Sequence, residues 1–547
     1  MRRSALSVAL AGLLAAPAAA HGDATTGRLL VTLKAPADGR AQASAVRAVA
    51  ARAGARPTGL TIPQLRVVAV RPQPGRSLHA LAQRLRRDPA VAAVRAERRF
   101  SLRYVPDDPA FTTAERGEPG TTTEWWAARE GLPVAWDVTR GEGARVAVID
   151  TGVDATHPEL AGRIVASADF DDDPGHGPAT VDEAGHGTHV ASLACATTDN
   201  GIGIAGAGGN CDLLIAKSDL TEGSVARSLV WAADNGAEAI NMSFGTDGRV
   251  PAADVVVQAL KYAAAHGAVL VAAAADMPVV QQGDPANVLQ PTDTGPNLDQ
   301  NLGLSVTAAN ANDVRASFAG RGGQISMAAY GTYGPGGSPG ILGAFPEQPT
   351  TLERGSPDSD QLPCHCRTMF GGDSRYAYLP GTSMAAPMVA AVAALMRQVN
   401  RDLPPADVVR LLKQTARRSA SVGWTAELGW GILDAGAAIA AARAVDRTPP
   451  SSSLERPVVR GRSIQLRWRG QDDMLPGVAA TGIDRFELWR AAGAGRPHRI
   501  AVTRAHAMRL RGKAGGRYSF FTIAVDRAGN REAPPAKADA HVRLARR

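Results

Sequence analysis

Between residues 145 and 415, short apolar runs alternate with helical patterns, and few folds satisfy that alternation. Strands are expected over 145–149, 212–217, 239–242, 268–273, 304–308 and 324–328. Helices are expected over 189–197, 225–235, 253–266, 383–399 and 406–415. The strand runs are rich in valine, isoleucine, leucine and alanine, as strands covered on both faces must be. The prediction is an α/β domain with a parallel sheet flanked by helices. Residues 331–380 are rich in glycine and proline with little periodicity, which predicts a long surface excursion.

In such sheets ligands gather where strands and loops hand over to helices. Three segments sit at these junctions. Val146-Ala-Val-Ile-Asp150-Thr151-Gly152 ends a strand on a carboxylate. His186-Gly187-Thr188-His189-Val190 opens a helix with an imidazole, and Gly381-Thr382-Ser383-Met384-Ala385-Ala386-Pro387 sets a serine at a loop-to-helix boundary. A serine hydroxyl attacks once a base takes its proton. A helix N-terminus favours the negative charge that develops, and a carboxylate orients the imidazole. Asp150, His186 and Ser383 therefore predict Ser-His-Asp hydrolysis.

The flanks belong to other domains, because 547 residues exceed one core. Met1-Arg2-Arg3, an apolar stretch and Ala18-Ala19-Ala20 form a secretory signal over 1–20. Its apolar part is too short to span a bilayer, and no other segment comes near the roughly 18 to 20 apolar residues required. The expected product is exported, extracellular or periplasmic, and soluble. Export suits disulfides for Cys195, Cys211, Cys364 and Cys366. Three connectivities exist; proximity in sequence favours Cys195–Cys211 and Cys364–Cys366. The Cys364-His365-Cys366 spacing leaves zinc open as the other reading.

Residues 28–100 carry a βαββαβ pattern of the ferredoxin-like kind, with strands at 28–33, 56–60, 65–70 and 91–98 and helices at 41–53 and 77–87. Thr448-Pro-Pro-Ser-Ser-Ser453 has linker composition, so 447–455 is assigned as a linker. Alternating runs at 463–468, 484–489, 498–502 and 518–525 then predict a β-sandwich over 456–547. Charge follows these divisions. Residues 28–104 hold 16 basic and 3 acidic side chains, 105–446 hold 21 and 40, and 447–547 hold 21 and 8. The basic N-terminal piece suits docking on the acidic middle one. The basic C-terminal piece suits tethering to an anionic surface or polymer; nucleic acid is not favoured, since no aromatic platform accompanies the charge.

Residues 105–446 resemble the subtilisin-like serine peptidases in Ala147-Val-Ile-Asp-Thr-Gly152, Gly185-His-Gly-Thr-His-Val190 and Gly381-Thr-Ser-Met-Ala-Ala-Pro387. Gly429-Trp-Gly431 with Asp434-Ala435 resembles the end of that domain, and Val525-Asp-Arg-Ala-Gly-Asn530 is similar to the closing turn of a fibronectin type III domain. The resemblance implies a monomeric endopeptidase for polypeptide substrates, made as a zymogen. Residues 21–104 would be its intramolecular inhibitory pro-segment, cut by the enzyme itself between Arg98 and Asp107. It implies a substrate-binding strand at Ser243, Phe244 and Gly245, pocket walls at Ala273 and Ala275, and Asp182 in the cleft beside His186. His189 would be a packing residue. It also implies a structural calcium site using Glu159, Asn200, Ile202 and Ile204, hard oxygen ligands of the kind Ca²⁺ takes. Asp169 to Asp173 is expected to be a solvated turn.

One position departs from the family. Where an asparagine normally donates to the oxyanion, this strand runs Val269-Leu-Val-Ala-Ala-Ala-Ala275-Asp276. An ionised carboxylate accepts only and repels the developing anion. Either a protonated Asp276 donates, or the Ser383 backbone N–H and other donors carry the work. The alternative reading is a weakly active or inactive peptidase-fold binding protein.

Overall fold

The computed structural model describes residues 25–34, 45, 48–73, 77–98, 104–172, 175–355, 362–418, 423–472 and 480–546. The expected signal segment and most of the expected self-cleavage segment lie outside these residues. The chain forms two compact units, Met1–Arg103 and Tyr104–Arg547.

The first unit is a four-stranded antiparallel sheet of Thr25–Leu33, Ala55–Ile62, Val67–Pro72 and Val91–Arg98. The first strand pairs with both the third and the fourth, and the third with the second, so the two central strands are not neighbours in sequence. Helix Leu78–Arg86 starts on the Ser77 side chain, which accepts from the Ala80 N–H. Its Leu81 and Leu85 bury against Leu29, Val31 and Val68. Val49, Ala50 and Ala53, in a helical stretch at 48–53, complete this small core.

The second unit is built on a seven-stranded, all-parallel sheet: β1 (Arg145–Asp150), β2 (Ile164–Asp169), β3 (Asp212–Lys217), β4 (Ala239–Met242), β5 (Val269–Ala273), β6 (Leu304–Ala309) and β7 (Met327–Tyr330). Its order is β7-β6-β5-β4-β1-β3-β2. Helix α1 (His186–Cys195) and helix α2 (Thr382–Val399) pack on one face in the larger core; Glu222–Asp234 and Asp254–Ala265 cover the other. Trp125, Trp126 and Trp136 lie fully inside the larger core.

Three expectations need correction. The strand expected at 324–328 begins at Met327 instead, because the backbone is still in a turn before it, with the Ile325 N–H donating to the Gly322 carbonyl. The excursion at 331–380 holds a three-stranded antiparallel sheet of Ile341–Ala344, Arg367–Phe370 and Asp373–Leu379. The linker at 447–455 is partly a strand: Ser451–Leu454 pairs with Ser463–Gln471 of the C-terminal sandwich. Both expected disulfides form, Cys195–Cys211 and Cys364–Cys366, with Cα separations of 5.2 and 5.1 Å. That pairing removes the thiolates a zinc site would need.

Candidate active site

Asp150 ends β1, flanked by β3 and β4 on either side, so its side chain emerges from the middle of the sheet. The chain must then turn sharply. Gly152 has φ of 102°, and a Cβ there would stand 2.5 Å from the Val181 carbonyl oxygen, so only glycine fits. The turn brings the Asp150 carboxylate under α1. Its Oδ1 accepts from the Thr151 N–H and lies 2.8 Å from His186 Nδ1. This contact fixes the tautomer and leaves Nε2 to receive a proton. Burial works against the charged ring. The carboxylates of Asp150, Asp182 and Asp276 outweigh that effect and raise its pKa above the ordinary imidazole value.

Asp182 does not offer a carboxylate to the cleft. It is 5% exposed, and both oxygens are occupied by the loop around His186. Oδ1 accepts from Thr151 Oγ1 and the N–H groups of Ala184 and Gly185, and Oδ2 from the Thr188 N–H and hydroxyl. It is a cap for α1 and fixes the turn that delivers His186. His189, one turn along, is buried between the Ile341 and Ala377 carbonyls, 3.1 Å from each, and burial pushes its pKa down to about 3. It is a neutral packing residue.

Ser383 is the second residue of α2. Its Oγ donates to the Ser243 carbonyl at 3.0 Å, while the Ser243 Oγ donates to the Ser383 carbonyl at 2.8 Å. The hydroxyl is thus turned toward Ser243 rather than bonded to the His186 ring. Among the described residues no acceptor takes the Ser383 N–H, which stays available at the positive end of the helix.

Asp276 meets the same helix end. Its Oδ1 accepts from the Thr382 N–H at 2.8 Å and lies 2.9 Å from Thr382 Oγ1. The Thr382 hydroxyl also sits 2.6 Å from the Ala274 carbonyl. One hydroxyl proton cannot fully serve two acceptors, and the shorter contact claims it. Burial pushes this carboxyl up, against the Thr382 contacts and the nearby His186 charge, although the residue as a whole is exposed to solvent. Oδ2 lies on the Gly381 side, 3.2 Å from where a Gly381 Cβ would stand.

Around this centre, Ser243 is buried, Phe244 half-buried against the second core and Gly245 exposed. Ala273 ends β5 inside the sheet, and the Ala275 N–H donates to Gln282 Oε1. Sequence reasoning missed a brace behind His186. The Thr351 and Leu352 N–H groups donate to the Glu183 and Ala184 carbonyls, and a Gly185 Cβ would strike the Phe345 ring at 2.6 Å. Arg367 locks this insert: its fork binds both Glu353 oxygens, at 2.6 and 2.7 Å, and reaches the carbonyls of Pro346, Gln348 and Ser374. The Arg367 guanidinium holds the Glu353 carboxyl at about 2. From the other side, the buried Lys217 Nζ binds Glu183 Oε2 and the carbonyls of Gly177 and Val181.

The residues expected to hold calcium make contacts of their own. Glu159 is buried, but hydrogen-bond donors face it: the Ile204 N–H and Tyr376 hydroxyl on Oε1, and Asn200 Nδ2 on Oε2. Asn200 Oδ1 is taken by the Ile202 N–H. The Ile202 and Ile204 N–H groups are the ones that meet Asn200 and Glu159. The oxygens that do converge beside the same loop belong to Asp107, Asp108 and Asp199, all within 4.8 Å of one another. Asp108 is 0% exposed, its Oδ1 has no hydrogen-bond partner, and burial raises its pKa to about 6. A buried orphan oxygen among three carboxylates fits a hard cation.

Residues 141–431 match the family model described as "Subtilase family". The chain is 31% identical over 330 residues to "Thermitase" of Thermoactinomyces vulgaris, covering 58% of this chain and 94% of that one. It is 31% identical over 353 residues to "Thermophilic serine proteinase" of Bacillus sp. (strain AK1), 63% of this chain and 73% of that one. A third match, "Extracellular protease" of Xanthomonas campestris pv. campestris, is 30% identical over 448 residues, 73% of this chain and 68% of that one.

Proposed function

The chain belongs to the subtilase family of serine peptidases, and from that premise we propose that it is an exported endopeptidase acting through an acyl-enzyme on Ser383. The observation that carries the reading is the 2.8 Å contact between Asp150, at the end of a central strand, and His186, in a domain whose helix α2 carries Ser383 at its start. Binding of an extended peptide along Ser243, Phe244 and Gly245 breaks the Ser383–Ser243 exchange and turns Oγ to His186 Nε2. Nε2 takes the proton as Oγ attacks the carbonyl carbon. Asp150 stabilises the imidazolium that results.

The carbonyl π electrons move to oxygen, which the Ser383 N–H at the start of α2 receives. Collapse expels the amine with the proton from His186, and water repeats the sequence to release the acid. In this scheme Asp276 contributes a donor only while protonated. An ionised Asp276 leaves the Ser383 N–H to work beside a like charge.

The basic segment 21–104 is read as the inhibitory pro-segment of a zymogen. The name of the Xanthomonas relative supports an extracellular product. A calcium ion held by Asp107, Asp108 and Asp199 would offset two of the three carboxylate charges and tie the loop after α1 to the start of the peptidase unit. The test of the function is hydrolysis of an internally quenched peptide by purified protein and by Ser383→Ala. The wild type cleaves it and the variant falls by about 10⁶-fold; equal rates would contradict the proposal.

A further inference from the structure

One face of the C-terminal sandwich gathers exposed arginines. The central strand Ser463–Gln471 alternates: Ile464, Leu466 and Trp468 bury in the core, while Ser463, Gln465, Arg467 and Arg469 point outward. Register carries the outward set across to neighbouring strands. Arg509 stands opposite Gln465 and Arg511 opposite Ser463 on one side, and Arg460 stands opposite Ser463 on the other. Five exposed arginines thus share one surface, about 7 Å apart along a strand and about 5 Å between strands. Among the described residues none of the five ion-pairs, and the face holds one carboxylate, Glu455, opposite Arg467. On the other sheet of the same sandwich Arg499 and Arg531 pair with Glu487, and Arg485 and Arg504 with Asp484, so that among its described residues the smaller set of Arg517 opposite Arg543 stands without an ion pair.

Five like charges left uncompensated on rigid strands repel one another, and an anionic partner relieves that cost. We propose that this face binds an acidic polysaccharide and holds the protein on it. All five are arginine, whose planar fork matches carboxylate and sulfate in two-point contact. The residues between them are hydroxyl and amide side chains, Ser453, Ser463 and Gln465, which suit sugar hydroxyls. The face carries no exposed aromatic ring for bases to stack on. Its one large apolar side chain, Val458, is too little to enter a bilayer. The repeat of charge along a flat strand fits a linear polymer with an acid group on each repeating unit.

The test uses the mature full chain with its serine blocked by a sulfonyl fluoride, so binding is read independently of hydrolysis. The probe is a fluorescein-labelled heparin fragment, titrated by anisotropy at about 50 mM and about 200 mM salt. The fragment binds at the lower salt and weakens at the higher. Arg467→Ser/Arg509→Ser weakens it by about tenfold or more. Arg227→Ser/Arg401→Ser, which removes two exposed arginines of the peptidase part, leaves it unchanged. Arg467→Lys/Arg509→Lys retains charge and loses only part of the affinity. Equal loss in the two serine variants would show mere net charge and overturn the assignment. So would tighter binding of phosphatidylglycerol vesicles or single-stranded DNA than of the heparin fragment.

Discussion

Ser243 and Ser383 exchange hydrogen bonds, each hydroxyl donating to the other's carbonyl oxygen, at 2.8 and 3.0 Å. The pair ties the strand that would receive substrate to the helix that carries the nucleophile. It also parks the Ser383 hydroxyl away from His186.

Ser243→Ala removes the anchor on the Ser383 backbone and leaves the other bond in place. Stability should fall by about 1 kcal/mol, read from the thermal midpoint of blocked enzyme. Activity should fall by about tenfold in kcat with little change in KM, because Ser383 is less well positioned while the backbone of 243–245 remains. A change confined to KM would contradict this.

If Asp276 lends a donor to the oxyanion as proposed, it should shape the pH profile. Burial raises its pKa, so the donor form is present at low pH and is lost as pH rises through that value. On the acid side His186 must be neutral, and its raised pKa limits activity there. Asp276→Asn supplies a donor at every pH. The alkaline limb of kcat/KM should flatten, with a gain on the order of 10²-fold at high pH, the size typical of one oxyanion donor in a subtilisin. An unchanged profile would mean that Asp276 has no part in the oxyanion site.

The insert behind His186 should act on catalysis from a distance. Arg367→Met frees Glu353 and three carbonyls and loosens the hold on Glu183 and Ala184. The expected result is a fall in kcat of about tenfold. The acid limb should move to lower pH, because a slacker Asp150 contact lowers the imidazole pKa. Arg367→Lys should rescue part of the loss, since the charge remains without the fork. A fall in stability with an unmoved limb would make the insert merely structural.

Calcium is tested by chelation. EDTA should lower the thermal midpoint of the mature enzyme by about 5 °C, and added calcium should restore it. Asp108→Asn should abolish the calcium response, while Asn200→Ala should keep it. The reverse pattern would return the site to the ligands expected from sequence.

The sheet was legible because its central strands are buried on both faces and lack polar interruption. The run at 145–149 matches Arg145–Asp150, and 212–217 matches Asp212–Lys217. β2 escaped notice because it lies at the sheet edge, where Ile164–Asp169 alternates half-buried with exposed positions and resembles a loop. The Asp150, His186 and Ser383 positions were readable from local motifs, since each needs a glycine turn or helix start. The roles of Asp182, Arg367 and Asp108 were not. Each depends on burial or on carbonyls supplied by distant segments, which no local pattern encodes.

The central claim is that Ser383 is a nucleophile activated by His186. Its most direct measurement is peptide mapping of mature protein after reaction with a fluorophosphonate. The account predicts one adduct, on Ser383, formed in wild type and lost in His186→Ala. Labelling of another serine, or undiminished labelling of Ser383 without His186, would contradict it.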